Sequence, residues 1–159
     1  MFDEVRDLYN QTILTRGRKP LHMRRLAEFD ATAKGDNPMC GDRVEVWVKY
    51  AEDGTVADTG YLARGCEISV VSADLMVEAV QGLALNDTKA LFAAFRDMVQ
   101  TGECPACAGE PDLTDALAAL QPLSAVHKYA SRIKCATLPW HALIAAFDGT
   151  KSSQPATSE

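Results

Sequence analysis

The run RVEVWVKYAEDGTVADTGYLA, residues 43–63, alternates regularly enough to dictate its own pairing. Val44, Val46, Val48 and Tyr50 fall on one face of an extended chain and Glu45, Trp47 and Lys49 on the other, the period of two expected of a half-buried strand. Asp53 and Gly54 tolerate the positive φ of a tight turn, so VADTGYLA returns as an antiparallel neighbour. With Asp53-Gly54 as a two-residue loop, Glu52 pairs with Thr55, and the same register sets Gly41 opposite Cys66. The hairpin thus carries Cys66 back to NPMCGD, residues 37–42.

Helical spacing surrounds this hairpin. Phe2, Val5, Tyr9 and Ile13 predict an N-terminal helix from about Phe2 to Thr15. The stretch RGRKPLHMRRLAEFDATAKGDNP that follows has no sustained period and reads as a long surface connection. Its cations, Arg16, Arg18, Lys19, Arg24 and Arg25, are either solvated or matched to an acidic partner. After Gly65, the stripe Ile68, Val71, Leu75, Met76 and Ala79 predicts a helix ending near Gly82, with Cys66 at the strand-to-helix junction. A further helix is expected from Leu91, Phe92, Phe95 and Val99, capped by Asn86 or Asp87, and a short one from DLTDALAAL. Trp140, Leu143, Ile144 and Phe147 predict a last helix with Thr137 as cap and Pro139 in its first turn, which places Cys135 just before it. We expect one domain over residues 1–148 and a disordered tail over 149–159, where the residues turn small and polar.

Residues two apart in an extended chain point the same way, so Cys40 and Asp42 project together at the mouth of the first strand. Cys66 arrives from the paired strand, giving two thiols and a carboxylate near one point. Cys135, placed at a helix start where the dipole favours a thiolate, would complete a tetrahedral set suited to zinc. The competing reading is four unrelated side chains, since a lone cysteine behaves as a small buried hydrophobe and no pairing argument places Cys135. Cys104 and Cys107, in CPAC, have ribbon-like spacing without a second pair; they read as an incidental or redox-labile pair, or as a second metal site. His22, His127 and His141 sit in no motif, and His141 reads as a surface or packing residue.

Several function classes drop out. A formal net charge of −6 over 159 residues argues against broad phosphate-backbone binding, so nucleic acid is not an expected partner. No apolar run approaches the roughly 20 residues that span a bilayer, and the start MFDEVRDLYNQ lacks a secretory pattern. We therefore expect a cytoplasmic protein without membrane contact. No nucleophile elbow, Gly-rich phosphate loop or His-x-Glu deaminase motif occurs.

Taken in order, LYNQTIL, NPMCGD, GCEISVVSADLM and RIKCATLPWHAL resemble the U-type iron-sulfur cluster assembly family, nearest its SufU branch. The resemblance runs over roughly residues 5 to 147. It implies a small α+β fold, an antiparallel sheet with helices packed against it, and zinc held by Cys40, Asp42, Cys66 and Cys135. Scaffold-type members carry histidine just before the last cysteine, where this chain has Lys134, a poor ligand because it is protonated at neutral pH. That difference and the long stretch between Cys66 and Cys135 imply a zinc-dependent sulfurtransferase. Cys40 would accept persulfide sulfur from a PLP-dependent cysteine desulfurase, with Asp42, a hard ligand among soft ones, as the labile point. The alternatives are a scaffold that assembles a [2Fe-2S] cluster and passes it to apo iron-sulfur proteins, and a structural zinc module. RKPLHMRRL and YAS depart from the family's usual pattern after the first helix and before Arg132, and CPAC has no counterpart in it.

Overall fold

The structure, a computed structural model, describes residues 11–37, 41–102 and 111–149. Helix α1 (Gln11–Arg18) leads into strands β1 (Ala31–Asn37), β2 (Asp42–Tyr50) and β3 (Val56–Arg64). Helices α2 (Glu67–Val80), α3 (Leu85–Thr101) and α4 (Pro111–Leu120), a 3-10 turn (Gln121–Lys128) and the long helix α5 (Ala130–Phe147) follow. The strands form an antiparallel meander in the order β1-β2-β3. One face buries Ala33, Val44, Val46, Val48 and Tyr61 in a core shared with Val71 and Met76 of α2 and Leu138 and Trp140 of α5. This is the α+β architecture expected, and at α5 the rings of Phe92 and Phe95 stack on Trp140 at 5.8 and 5.0 Å. His141 packs as expected, meeting Phe92 edge-on at 5.0 Å.

The hairpin keeps the expected register by an unexpected route. Arg43 faces Arg64 and Lys49 faces Asp58, the frame that sets Gly41 against Cys66. The turn, however, is one residue longer than two. Ala51 N–H donates to Thr55 O at 2.8 Å, and Gly54, at φ 85°, closes on Ala51 O at 3.0 Å. Tyr50 then faces Val56, and a shift between Lys49 and Tyr50 leaves Ala57 as a bulge that restores the ladder.

The stretch read as a surface connection is structured. Ala31–Asn37 pairs along β2, from Ala31 opposite Val48 to Asn37 opposite Asp42. Its residues, ATAKGDN, carry little β-propensity, so the strand owes its existence to a partner edge rather than to its own pattern. Upstream, residues 23–26 cross the outer face of the sheet: Met23 and Arg24 bridge to Tyr61, Leu26 is buried, and Arg25 lies 5.1 Å over the Trp47 ring. Gly60 admits this crossing, because a Cβ there would collide with the Arg24 carbonyl. Trp47, expected on the polar face, is therefore buried on that face.

Two helix starts also differ from expectation. The α3 cap is Ala84, with Asp87 inside the first turn where it complements the dipole. Helix α5 begins at Ala130, so Cys135, Thr137 and Pro139 lie inside it. Pro139 has no N–H for the Cys135 carbonyl four residues back, and a side chain of α2 takes its place: Ser69 Oγ donates to Cys135 O at 3.1 Å. The next carbonyl, of Ala136, accepts from Ser72 Oγ. The predicted helix over residues 2–15 is present from Gln11; its earlier part, the tail beyond Gly149, and Cys104 and Cys107 lie outside the described residues.

Candidate functional site

Asp42 opens β2 and is fully buried. Gly41, at φ 72°, delivers the chain to it, with Gly41 N–H bonded to Asn37 O at 2.9 Å. On the returning strand Gly65, at φ 115°, lies so close that any Cβ would collide with the Asp42 carboxylate and Cα. The next residue, Cys66, caps α2: its N–H donates to Asp42 Oδ1 at 2.7 Å, and its Sγ accepts from Ile68 N–H at 3.4 Å. Ser69, one turn into α2 and fully buried, donates toward Asp42 Oδ2 at 3.1 Å.

Cys135 comes up from the middle of α5. It is buried, donates to Ser131 O at 3.5 Å, and has the Cys66 thiol and the Asp42 carboxylate as neighbours that compete for its one proton. The two sulfurs share one proton unequally. The Cys135 hydrogen bond, the Ile68 N–H and the Arg132 charge outweigh burial and the Asp42 charge, drawing Cys66 from the ordinary thiol value of 9.0 to about 6. Cys135, bonded to that thiolate, buried and facing Asp42, is pushed up and keeps its proton. Arg132 Nη1 sits 2.8 Å from Cys66 Sγ, one helical turn before Cys135. The first-strand and hairpin pattern gave no sign of Arg132; its position three residues before Cys135 was the only signal.

Three of the four residues singled out from the sequence, Asp42, Cys66 and Cys135, are thus brought together from β2, α2 and α5. The fourth, Cys40, lies outside the described residues, next to Gly41 in the chain. Cys135 is near enough to interact with both of the others and Asp42 meets Cys66 through its backbone N–H, but the three donor atoms are not all within 4.8 Å of each other. The set still fits a cation. Among the described residues no lysine or arginine is ion-paired with the buried Asp42 carboxylate, its hydrogen-bond partners there are neutral donors, and two thiols beside it are ligands that zinc favours.

A second cluster passes the stricter spacing test. His22, Asp74 and Glu78 offer donor atoms within 4.8 Å of one another. Asp74 is fully buried in α2, yet its lone pairs are spent: Oδ2 accepts from Arg16 Nη1 at 2.8 Å and Leu21 N–H at 3.0 Å, and Oδ1 from His22 N–H at 2.8 Å and Tyr61 OH at 2.9 Å. Burial and the Asp74 charge hold the Tyr61 phenol protonated as a donor. Glu78 pairs with the same Arg16 at 2.6 Å. The guanidinium already occupies the place a metal would take. This cluster pins α1 and the crossing segment to α2, and it uses Arg16 of the basic cluster, while Arg24 pairs with Asp58. These two cations meet acidic partners within the chain.

The NifU-like N terminal domain family matches residues 8–136. Over 156 residues the chain is 33% identical to an iron-sulfur cluster assembly scaffold protein IscU of Streptococcus pyogenes serotype M1, covering 98% of this chain and 92% of that protein. It is 34% identical over 136 residues to the zinc-dependent sulfurtransferase SufU of Bacillus subtilis, covering 86% of each. In fold it resembles the N-terminal part of a NifU-like protein from Brucella abortus, with a TM-score of 0.78 at 24% identity over 92% of this chain and 96% of that one. A putative scaffold protein for the SUF system from Fervidobacterium islandicum gives 0.76 at 22%, over 87% and 96%. With the antiparallel sheet and packed helices that the sequence motifs imply, the chain belongs to the NifU-like N-terminal domain family, the U-type scaffold proteins that include IscU and SufU.

Proposed function

We propose that this protein takes part in iron-sulfur cluster assembly as a zinc-dependent sulfurtransferase of the cytoplasm, receiving persulfide sulfur from a PLP-dependent cysteine desulfurase. The observation that carries the reading is the buried Asp42 carboxylate, without a paired cation among the described residues, beside the thiols of Cys66 and Cys135. Asp42, Cys66, Cys135 and Cys40 would hold the ion. Zinc, when bound, keeps thiolates deprotonated at neutral pH. In the transfer the Cys40 thiolate attacks the terminal sulfur of the partner's cysteine persulfide. A new S–S bond forms on Cys40, the partner's S–S bond breaks, and its cysteine leaves as the thiolate. The similarity to a zinc-dependent sulfurtransferase over 86% of the chain supports this reading, as does Lys134 where scaffold-type members carry histidine.

A second reading, assembly of a [2Fe-2S] cluster on the same residues for delivery to apo iron-sulfur proteins, is favoured by the similarity to an IscU scaffold protein over 98% of the chain. One experiment separates them. Freshly purified protein is analysed for zinc and iron, and desulfurase turnover is measured with wild-type and Cys40→Ala protein. Zinc near one per chain and stimulation that vanishes with Cys40 is the expected result. Iron and acid-labile sulfide in place of zinc, or undiminished stimulation by Cys40→Ala, overturns the sulfurtransferase reading.

A further inference from the structure

Ser69 lies between two acceptors that belong to different parts of the molecule. Its Oγ is 3.1 Å from Asp42 Oδ2 on β2 and 3.1 Å from the Cys135 carbonyl on α5. A hydroxyl has one proton to donate, so the two acceptors compete for it. The carbonyl is available only because Pro139 withholds the N–H that would otherwise close the helix there. Ser72, three residues on, serves a neighbouring carbonyl, that of Ala136, and has no bond to Asp42. The two buried serines of α2 therefore divide the work: Ser72 only supports the helix around Pro139, while Ser69 joins that helix to the carboxylate.

We infer that Ser69 is a positioning residue of the site, fixing the Asp42 carboxylate and coupling it to the backbone of the residue that carries the Cys135 thiol. The inference rests on the reading that Asp42 and the cysteines hold a divalent ion. Ser69 is assigned no bond to the ion itself; through its hydrogen bond to Asp42 it sets how that carboxylate is presented and keeps it in step with α5. Hydrogen-bonding partners of metal ligands typically contribute ten- to a hundredfold in affinity.

Cobalt(II) is the probe, because its visible spectrum reports the number and kind of ligands and its affinity can be titrated without any partner protein. Ser69→Ala is expected to weaken cobalt binding about ten- to a hundredfold and to shift the d–d bands toward those of Asp42→Ala. Ser72→Ala is expected to lower the melting temperature while leaving affinity and spectrum at the wild-type values. Pro139→Ala restores an N–H to the Cys135 carbonyl. In that background Ser69→Ala is expected to cost less stability, with its cobalt defect unchanged. The inference is overturned if Ser69→Ala binds cobalt as the wild type does, or if its defect disappears in the Pro139→Ala background, which would reduce Ser69 to helix repair. A wild-type protein that binds no cobalt and no zinc removes the metal reading itself and this inference with it.

Discussion

Asp42 and Asp74 are both fully buried carboxylates, within 32 positions of each other in a chain of 159 residues, and they have opposite surroundings. Asp74 holds a guanidinium, two backbone N–H groups and a phenol, which leaves it no capacity. Among the described residues Asp42 has one backbone N–H and one shared hydroxyl, with two thiols beside it. A buried carboxylate is tolerated when its charge is matched. At Asp74 the protein supplies the matching charge from Arg16; at Asp42 it supplies neutral donors and two thiols. The same residue type, at the same burial, is a latch in one place and, on the reading proposed above, a ligand in the other.

The largest test of this contrast is at the latch. Asp74→Asn puts an amide hydrogen against one of four donors and leaves Arg16 with Glu78 alone, and is expected to destabilise the protein by about 3–5 kcal/mol in urea denaturation. Asp42→Asn is expected to behave differently in the metal-free protein. Its amide oxygen keeps the Cys66 N–H, its amide N–H donates to Ser69, and Ser69 turns its proton to the Cys135 carbonyl, so the loss is about 1 kcal/mol or less. Zinc is expected to stabilise the wild type well above that and the Asp42→Asn protein far less. Equal losses in the two asparagine variants, measured without metal, would erase the distinction.

The thiols offer a third test. Cys66 is expected to be alkylated in metal-free Cys40→Ser protein with a midpoint near pH 6, followed by mass spectrometry, and Arg132→Leu to move that midpoint upward. Cys66 has a folded pKa below its unfolded one, so between about 6 and 9.0 the unfolded chain binds the extra proton and stability rises with pH; the contribution is lost as pH falls through about 6. Cys135 is raised and acts in the opposite sense above the ordinary thiol range, where the unfolded chain ionises first and stability falls. The pair's contribution to metal-free stability should therefore peak between these limits, near pH 9. A fourth and smallest test returns to the latch. Glu78 touches Arg16 and His22 but is 39% exposed, and Glu78→Gln is expected to cost under about 1 kcal/mol, a fraction of the Asp74→Asn loss.

How far the sequence led depended on whether a contact was local. Val44 to Tyr50 and the helix from Glu67 announce themselves by period, and Cys66 at their junction follows from the chain between them. Strand β1 did not: Ala33, Gly35 and Asn37 face inward with almost no apolar signal, and only the edge of β2 makes a strand of them. Pro139 was read by the local rule that puts proline in a first turn, whereas two serines more than 60 positions away permit it in the middle of α5. Asp42 and Cys66 were joined by hairpin register. Cys135 was joined to them by resemblance alone, since its approach depends on how α5 packs over α2. Arg132 and Ser69 have no periodic signature; both lie in motifs that carry the resemblance, and their place at the site comes from the bond each makes across elements.

The bulge at Ala57 has a consequence for how this hairpin can change. Side chains along a strand alternate, so what matters to the Cys66 end is whether the residues between it and Asp42 are odd or even in number, not how many there are. The three-residue tip alters that parity and the bulge alters it back. The hairpin therefore carries a parity check between its tip and its base. A single insertion or deletion at the tip, left uncorrected, would turn the whole returning strand over and carry Cys66 to the face that residues 23–26 cross. A paired change, one at the tip and one at the bulge, would pass unnoticed at the site. Length variation in this hairpin is expected to come in even steps.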